Sequence, residues 1–152
     1  MIQLRGMTAE EFDEYLSHAI PTYAEEHVRS GRWTKEESLE KSRQEYAELL
    51  PDGKSTEGNY LYTVTADEPV GMIWLNQKQN GDGFIFDIYI WEQHQGKGYG
   101  KRAMQLIEET GRELGMEKIG LHVFGHNKTA RALYEKLGYE TMNVIMSKNI
   151  KG

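Results

Sequence analysis

Between an apolar run and a helical pattern the chain carries "WEQHQGKGYGKRAM", Trp91 to Met104, with Gly96, Gly98 and Gly100 at alternate positions and Lys97 and Lys101 beside them. Three glycines in five residues weaken any helix or strand that contains them, so the stretch marks a strand–loop–helix junction. Side chains there would block close approach to the backbone. A bare loop running into a helix start instead offers successive N–H groups and the positive end of a helix dipole, the arrangement that holds an anion such as a pyrophosphate.

The rest of the chain supplies elements around that junction. Thr8 and Glu11 have capping-box spacing, and Phe12, Tyr15 and Leu16 follow with helical periodicity, which predicts a first helix interrupted by Pro21. A second helix is expected from Thr34 to the Pro51–Gly53 turn. "NYLYTVTA" and "VGMIWLNQ" read as strands joined by "DEP" in a hairpin, and "QNGDG" turns the chain into a further strand, "FIFDIYIW". Beyond the glycines, Ala103, Met104, Ile107 and Leu114 mark a helix that stops at Gly115. "KIGLHVF" is expected as a strand, "NKTARALYEKLGY" as a helix capped by Asn127 and closed by Gly138, and "TMNVIMSKN" as a last strand. No repeat or linker divides these elements, so one domain is expected over residues 1–152.

Composition removes several function classes. The chain has no cysteine, hence no disulfide framework, thiolate metal site or cysteine nucleophile, and a reducing cytoplasm is the expected compartment. Neither a signal peptide nor a membrane-length apolar run is present at the N-terminus, so no membrane partner is expected. A net charge of −6 without a basic stripe argues against nucleic acid. Residues 1–50 hold eleven acids against six bases. They read as solvated helix faces or as a field that draws in a cationic partner. His94, His122 and His126 lack the acids and spacing of a ligand set, so no metal is expected.

Two readings of the glycines fail or weaken on spacing. A Walker A loop would need glycine at Gln95 and a hydroxyl at Arg102. "GYGKRA" fits a dinucleotide fingerprint, yet "EQHQGK" separates it from the strand and "GLHVFGHN" ends without the acid that holds a ribose. The third reading is more specific. Gln95-Gly96-Lys97-Gly98-Tyr99-Gly100 resembles the Q/R-x-x-G-x-G/A signature of the GNAT superfamily of N-acetyltransferases. Asn127, Ala130, Tyr134, Gly138 and Tyr139 resemble that family's Asn-x-x-Ala-x-x-x-Tyr-x-x-x-Gly-Phe/Tyr segment, in the family's order of elements. The resemblance runs from "NYLYTV" onward. It implies a mixed α/β fold with a largely antiparallel central sheet flanked by helices on both faces. It also implies acetyl-coenzyme A as cosubstrate and a small-molecule or peptide amine as acceptor, and it admits a homodimer.

The chemistry follows from the reactants. An amine with a pKa of about 10 must lose a proton before it attacks a thioester, the oxyanion needs an N–H donor, and the leaving thiolate gains from an acid. By resemblance, Gln95 to Lys101 bind the pyrophosphate, and Ile88, Tyr89 and Ile90 bind the coenzyme arm. The acetyl carbonyl is held by backbone at a bulge mapped to Tyr89–Trp91. Asn127 contacts the arm, and Tyr134 protonates the departing sulfur; packing alone is the other reading of Tyr134. Two candidates share the role of base: His122, where some members carry a glutamate, and Asp87, a charge inside an apolar strand whose burial would raise its pKa. The glutamate that other members place earlier on that strand is matched here by Phe84, and a water chain can serve instead. Tyr15, Tyr23, Trp33 and Trp74 are core or line the acceptor pocket. A domain that binds acyl-coenzyme A as a sensor, without turnover, is the alternative function.

Overall fold

The computed structural model describes residues 1–151. A five-stranded sheet of β1 (Gln3–Gly6), β2 (Asn59–Ala66), β3 (Glu68–Gln77), β4 (Gly83–Ile90) and β5 (Ile119–Leu121) runs in that spatial order. All neighbours are antiparallel except β4 and β5. Helices α1 (Ala9–Arg29) and α2 (Lys35–Leu49) precede the hairpin, α3 (Tyr99–Glu113) follows the glycine loop, and α4 (Lys128–Lys136) follows β5.

Helices cover both faces of the sheet. Val64, Val70, Ile73, Leu75 and Ile85 pack with Ala103, Met104 and Ile107 of α3, while Tyr134, Leu137 and Tyr139 at the end of the chain's last helix lean on the same core. On the opposite face Leu61, Met72 and Trp74 pack with Phe12, Tyr15 and Ala19 of α1 and Tyr46 of α2. β3 sits between the two cores, which is why its run from Val70 to Leu75 is buried without alternation.

Three expectations need correction, and one strand is additional to them. Pro21 does not interrupt the first helix, for α1 passes through it; Pro21 cannot donate to the carbonyl of Ser17, and the buried Ser42 hydroxyl of α2 donates to the Ile20 carbonyl at 2.7 Å beside it. "KIGLHVF" contributes only Ile119–Leu121 to the sheet, so His122 lies past the strand. "TMNVIMSKN" forms no strand. β1 was not expected; its four residues gain their order from pairing with β2, some sixty positions away.

The N-terminus of α1 is fastened by one carboxylate. Glu11 accepts both Arg5 guanidinium nitrogens at 2.9 Å, the Thr8 N–H at 2.9 Å and the Thr63 hydroxyl at 3.0 Å. Arg5 foremost, with Thr8 and Thr63, pulls the Glu11 pKa down to about 2. Because the folded value lies below the unfolded one, this stabilisation is complete above about pH 4 and fades as pH falls towards 2. Glu11→Ala is expected to cost about 1–2 kcal/mol near neutral pH, and parent and variant melting curves should converge on acidification.

Candidate active site

A bulge in β4 decides which way the site faces. β3 pairs Trp74 with Asp87 and Leu75 with Ile85, leaving Phe86 as an extra residue. In a regular strand Asp87 would share a face with Ile85 and enter the α3 core. The added residue turns it to the side of Trp74, α1 and α2. There the Tyr15 hydroxyl donates to Asp87 Oδ2 at 2.7 Å. Downstream of the bulge, Tyr89 meets His18 of α1 with ring centroids 5.7 Å apart, while Ile88 and Ile90 return to the α3 core. The bulge therefore lies at Phe86, upstream of the Tyr89–Trp91 stretch where the sequence placed it.

A gap opens beside the same strand. The parallel ladder has three pairs, Gly83–Ile119, Phe84–Gly120 and Ile85–Leu121; β4 then runs on to Ile90 while β5 ends. The Trp91 N–H bonds the Val70 carbonyl at 2.9 Å, on the β3 side. By alternation Tyr89 also faces β3, and the N–H and C=O groups of Ile88 and Ile90 face the gap. An extended chain carrying amides can bond to such an edge as a further strand would.

The glycine loop closes one end of this gap. Gly98, at φ 80°, caps α3 from the left-handed region, and the space where its side chain would stand is open. Gln95 Nε2 donates to the Ile90 carbonyl at 2.7 Å, so this side chain staples the loop to β4. A Cβ on Gly100 would lie 3.7 Å from Ile90 and 3.8 Å from Leu133, which places the first turn of α3 where β4 and α4 converge. The first turns of α1 and α2 each carry two glutamates, whereas that of α3 carries no acid. Lys97 and Lys101 are exposed beside it. Gly96 and Tyr99 complete the stretch.

Tyr134 and Asn127 stand on α4. Asn127 caps the helix, its Oδ1 accepting the Ala130 N–H at 3.3 Å. The Tyr134 ring packs against the α3 core and edge-on to Tyr139, 6.2 Å away. Burial first, and the Asp87 charge second, push its pKa up to about 12, so the hydroxyl keeps its proton at neutral pH. Asp87 is itself held above the usual carboxylate range by burial; Tyr15, the Ile88 backbone and His18 offset part of this.

The two candidate bases are not equally placed. Asp87 lies with Tyr15 and its charge reaches the Tyr134 hydroxyl. His122 is exposed beyond β5, its ring edge-on to Phe124 at 4.9 Å and its pKa lowered by the protein crowding it. Of the three histidines that sequence grouped, His94 meets Glu68 at 3.5 Å, while His122 and His126 both pack against Phe124, with ring centroids at 4.9 and 5.4 Å, and His126 also bonds Glu26 of α1.

Of the aromatic candidates, Trp74 is buried and donates to Asn59 Oδ1 at 2.8 Å, and Tyr15 is buried against Asp87. Tyr23 and Trp33 form an edge-packed cluster with His27, which also touches Phe124 at 5.1 Å. Tyr15 as the partner of Asp87 was invisible in sequence, 72 positions away. Hollows of about 370 and 200 Å3, the first beside Arg5 and Thr65 and the second beside Lys54 and Tyr60, lie at the β1–β2 end of the sheet, far from this constellation.

Residues 16–139 match the model of the acetyltransferase (GNAT) family. The chain is similar to YycN, an uncharacterized N-acetyltransferase of Bacillus subtilis, at 38% identity over 98% of this chain and 99% of that one. Its similarity to YdgE of the same organism, also an uncharacterized N-acetyltransferase, is 37% over 97% of each. The YycN crystal structure superposes with a TM-score of 0.96 at 36% identity over the whole of both chains.

Proposed function

The chain belongs to the GNAT family of acetyltransferases, and from that premise we propose that it transfers the acetyl group of acetyl-coenzyme A to a primary amine by direct attack in a ternary complex. The observation that carries this reading is the gap beside β4, along which the Ile88 carbonyl and the Ile90 N–H face no neighbouring strand. The glycine loop stands at one end, and Asp87 and Tyr134 flank it.

These residues fit the cosubstrate. The open space over Gly98 and the acid-free start of α3 suit a pyrophosphate, to which Gly96 to Lys101 present N–H groups and two ammonium groups. Gln95 holds the loop in place rather than reaching outward. Ile88 and Ile90 bond the amide-bearing arm, with Tyr89 between them facing β3, and Asn127 orders the turn into α4. Bound there, the coenzyme supplies an acetyl thioester.

Proton movements follow from the placement of Asp87 on the α1–α2 face. The acceptor approaches from that face as an ammonium, and Asp87 takes its proton; burial of the carboxyl makes it a stronger base than a solvated aspartate. A β4 N–H stabilises the oxyanion as the amine nitrogen bonds the acetyl carbon. The carbon–sulfur bond then breaks, the Tyr134 hydroxyl gives its proton to the thiolate, and the second proton that the nitrogen sheds as the amide forms restores the Tyr134 hydroxyl through solvent. His122 is the weaker candidate, since it touches neither Asp87 nor Tyr15.

Thiol release measured against polyamines, aminoglycosides, amino acids and peptide N-termini tests the reading; coenzyme binding with no amine consumed would overturn it. A cationic acceptor fits the acid excess of residues 1–50. Glu45 adds to this, with one oxygen on Arg32 and the other buried without a partner. Rising salt should then raise the KM for a charged amine.

Asp87→Asn separates chemistry from folding. Turnover is expected to fall about a hundredfold or more, with coenzyme affinity kept. Stability moves the other way. A carboxyl whose pKa is raised on folding loses stability as pH climbs from its unfolded value, about 4, through the folded one. The amide has no such loss and still accepts from Tyr15, so the variant should melt higher than the parent at pH 7.

A further inference from the structure

Acetyl transfer from a thioester to an ammonium releases one proton for each amide formed, and in the proposed cycle Asp87 is left holding it. Until that proton departs, the carboxyl cannot serve a second acceptor. The phenols around Asp87 do not take it. The Tyr15 hydroxyl already donates to Oδ2 at 2.7 Å, and burial above all keeps Tyr15, Tyr46 and Tyr134 protonated well beyond neutral pH.

The seam between α1 and β4 offers another group. Tyr15 and Asp87 form one rung across it, and His18 and Tyr89 form the next, with ring centroids 5.7 Å apart. Three residues of helix rise about 4.5 Å and two residues of strand about 6.8 Å, so the rungs run side by side. His18 therefore follows Asp87 at a spacing that one or two water molecules can bridge. A charge on His18 acts on the Asp87 carboxyl, as this nearness requires. Both members of the second rung reach solvent, for His18 is exposed and Tyr89 is 38% exposed. Imidazole is the side chain suited to taking up and giving back a proton near neutral pH.

We propose that His18 is the outlet for the proton that Asp87 collects, an inference that rests on Asp87 being the base. The O–H bond of the carboxyl breaks, an N–H bond forms on the imidazole, and the imidazolium passes its proton to bulk water. Carboxylate and neutral ring are both restored, and one proton leaves for each amide. His18 acts on the reaction through Asp87 and touches neither the acetyl group nor the amine.

The test uses the full chain, acetyl-coenzyme A and whichever of the four amine classes above is consumed fastest. His18→Ala places the best helix former at an exposed position of α1, so the fold should be kept. Its steady-state turnover should fall about tenfold, less than for loss of the base itself, with coenzyme affinity unchanged. The first turnover should stay fast, so that thiol appears in a burst equal to the enzyme concentration before the slow phase. Imidazole added to the solution should speed the variant in proportion to its concentration and leave the parent as it was. His18→Gln, which keeps the reach of the side chain but carries no proton, should be as slow. Added to Asp87→Asn, His18→Ala should cost nothing more, since the amide has no proton to pass on. A His18→Ala protein as fast as the parent overturns the proposal. So does a slow one that shows no burst and no response to imidazole, which would make His18 a contact of the acceptor or of the fold. Failure of the Asp87 reading is distinct: full turnover in Asp87→Asn would show it, and the outlet would fall with the base.

Discussion

Gly100→Glu should weaken acetyl-coenzyme A binding about a hundredfold or more while leaving the fold intact. The main chain at Gly100 is helical, and a Cβ there meets Ile90 and Leu133 only at ordinary contact distances, so the substitution need not disturb packing. The remaining atoms project where the pyrophosphate is proposed to lie, and they add a carboxylate to a helix start that carries no acid. Like charges brought together in a binding site cost several kcal/mol, which is two or more powers of ten in Kd. Calorimetry checks it: full affinity in a folded Gly100→Glu protein would move the pyrophosphate elsewhere. Gly100→Ala is the control and should lose little.

Tyr134→Phe should bind the coenzyme as the parent does and turn over about a hundredfold or more slowly. The ring keeps its packing on the α3 core and against Tyr139. What disappears is a hydroxyl that stays protonated to about pH 12, and so is available as an acid throughout the working range. The loss should fall on kcat, and no alkaline limb in the parent's profile near pH 8 should trace to Tyr134. A large drop in melting temperature would make the hydroxyl structural, and unchanged turnover would leave the thiolate to take its proton from water.

Where the chain's signals are local, sequence reads them well. The caps at Thr8, Thr34 and Asn127 and the closing glycines at 115 and 138 are where spacing put them, because a cap is settled within four residues. The glycine loop does lie between β4 and α3 for the same reason. The misreadings depend on partners distant in sequence. Pro21 looks like a stop until Ser42 and the α2 surface are present to hold α1 together. The residue types of "TMNVIMSKN" suit a strand, but a strand needs a paired neighbour, and the segment forms none. Nothing in "FIFDIYIW" marks Phe86 as the surplus residue, since the surplus exists only relative to the register of β3. Asp87 was therefore visible as a buried charge, while the face it serves and its bond to Tyr15 were not.

Pro21 also divides the labour of α1. Upstream, Phe12, Tyr15 and Ala19 are bound into the sheet-facing core and to Asp87. Downstream, Glu26 and His27 touch His126 and Phe124 of the segment between β5 and α4. Substitutions at Glu26 and His27 bear on the segment between β5 and α4 and leave the Tyr15–Asp87 bond out of direct reach. If Asp87 takes the acceptor's proton as proposed, a lineage could alter the β5–α4 border by drift in one half-helix while the turn that holds Tyr15 on Asp87 is inherited unaltered.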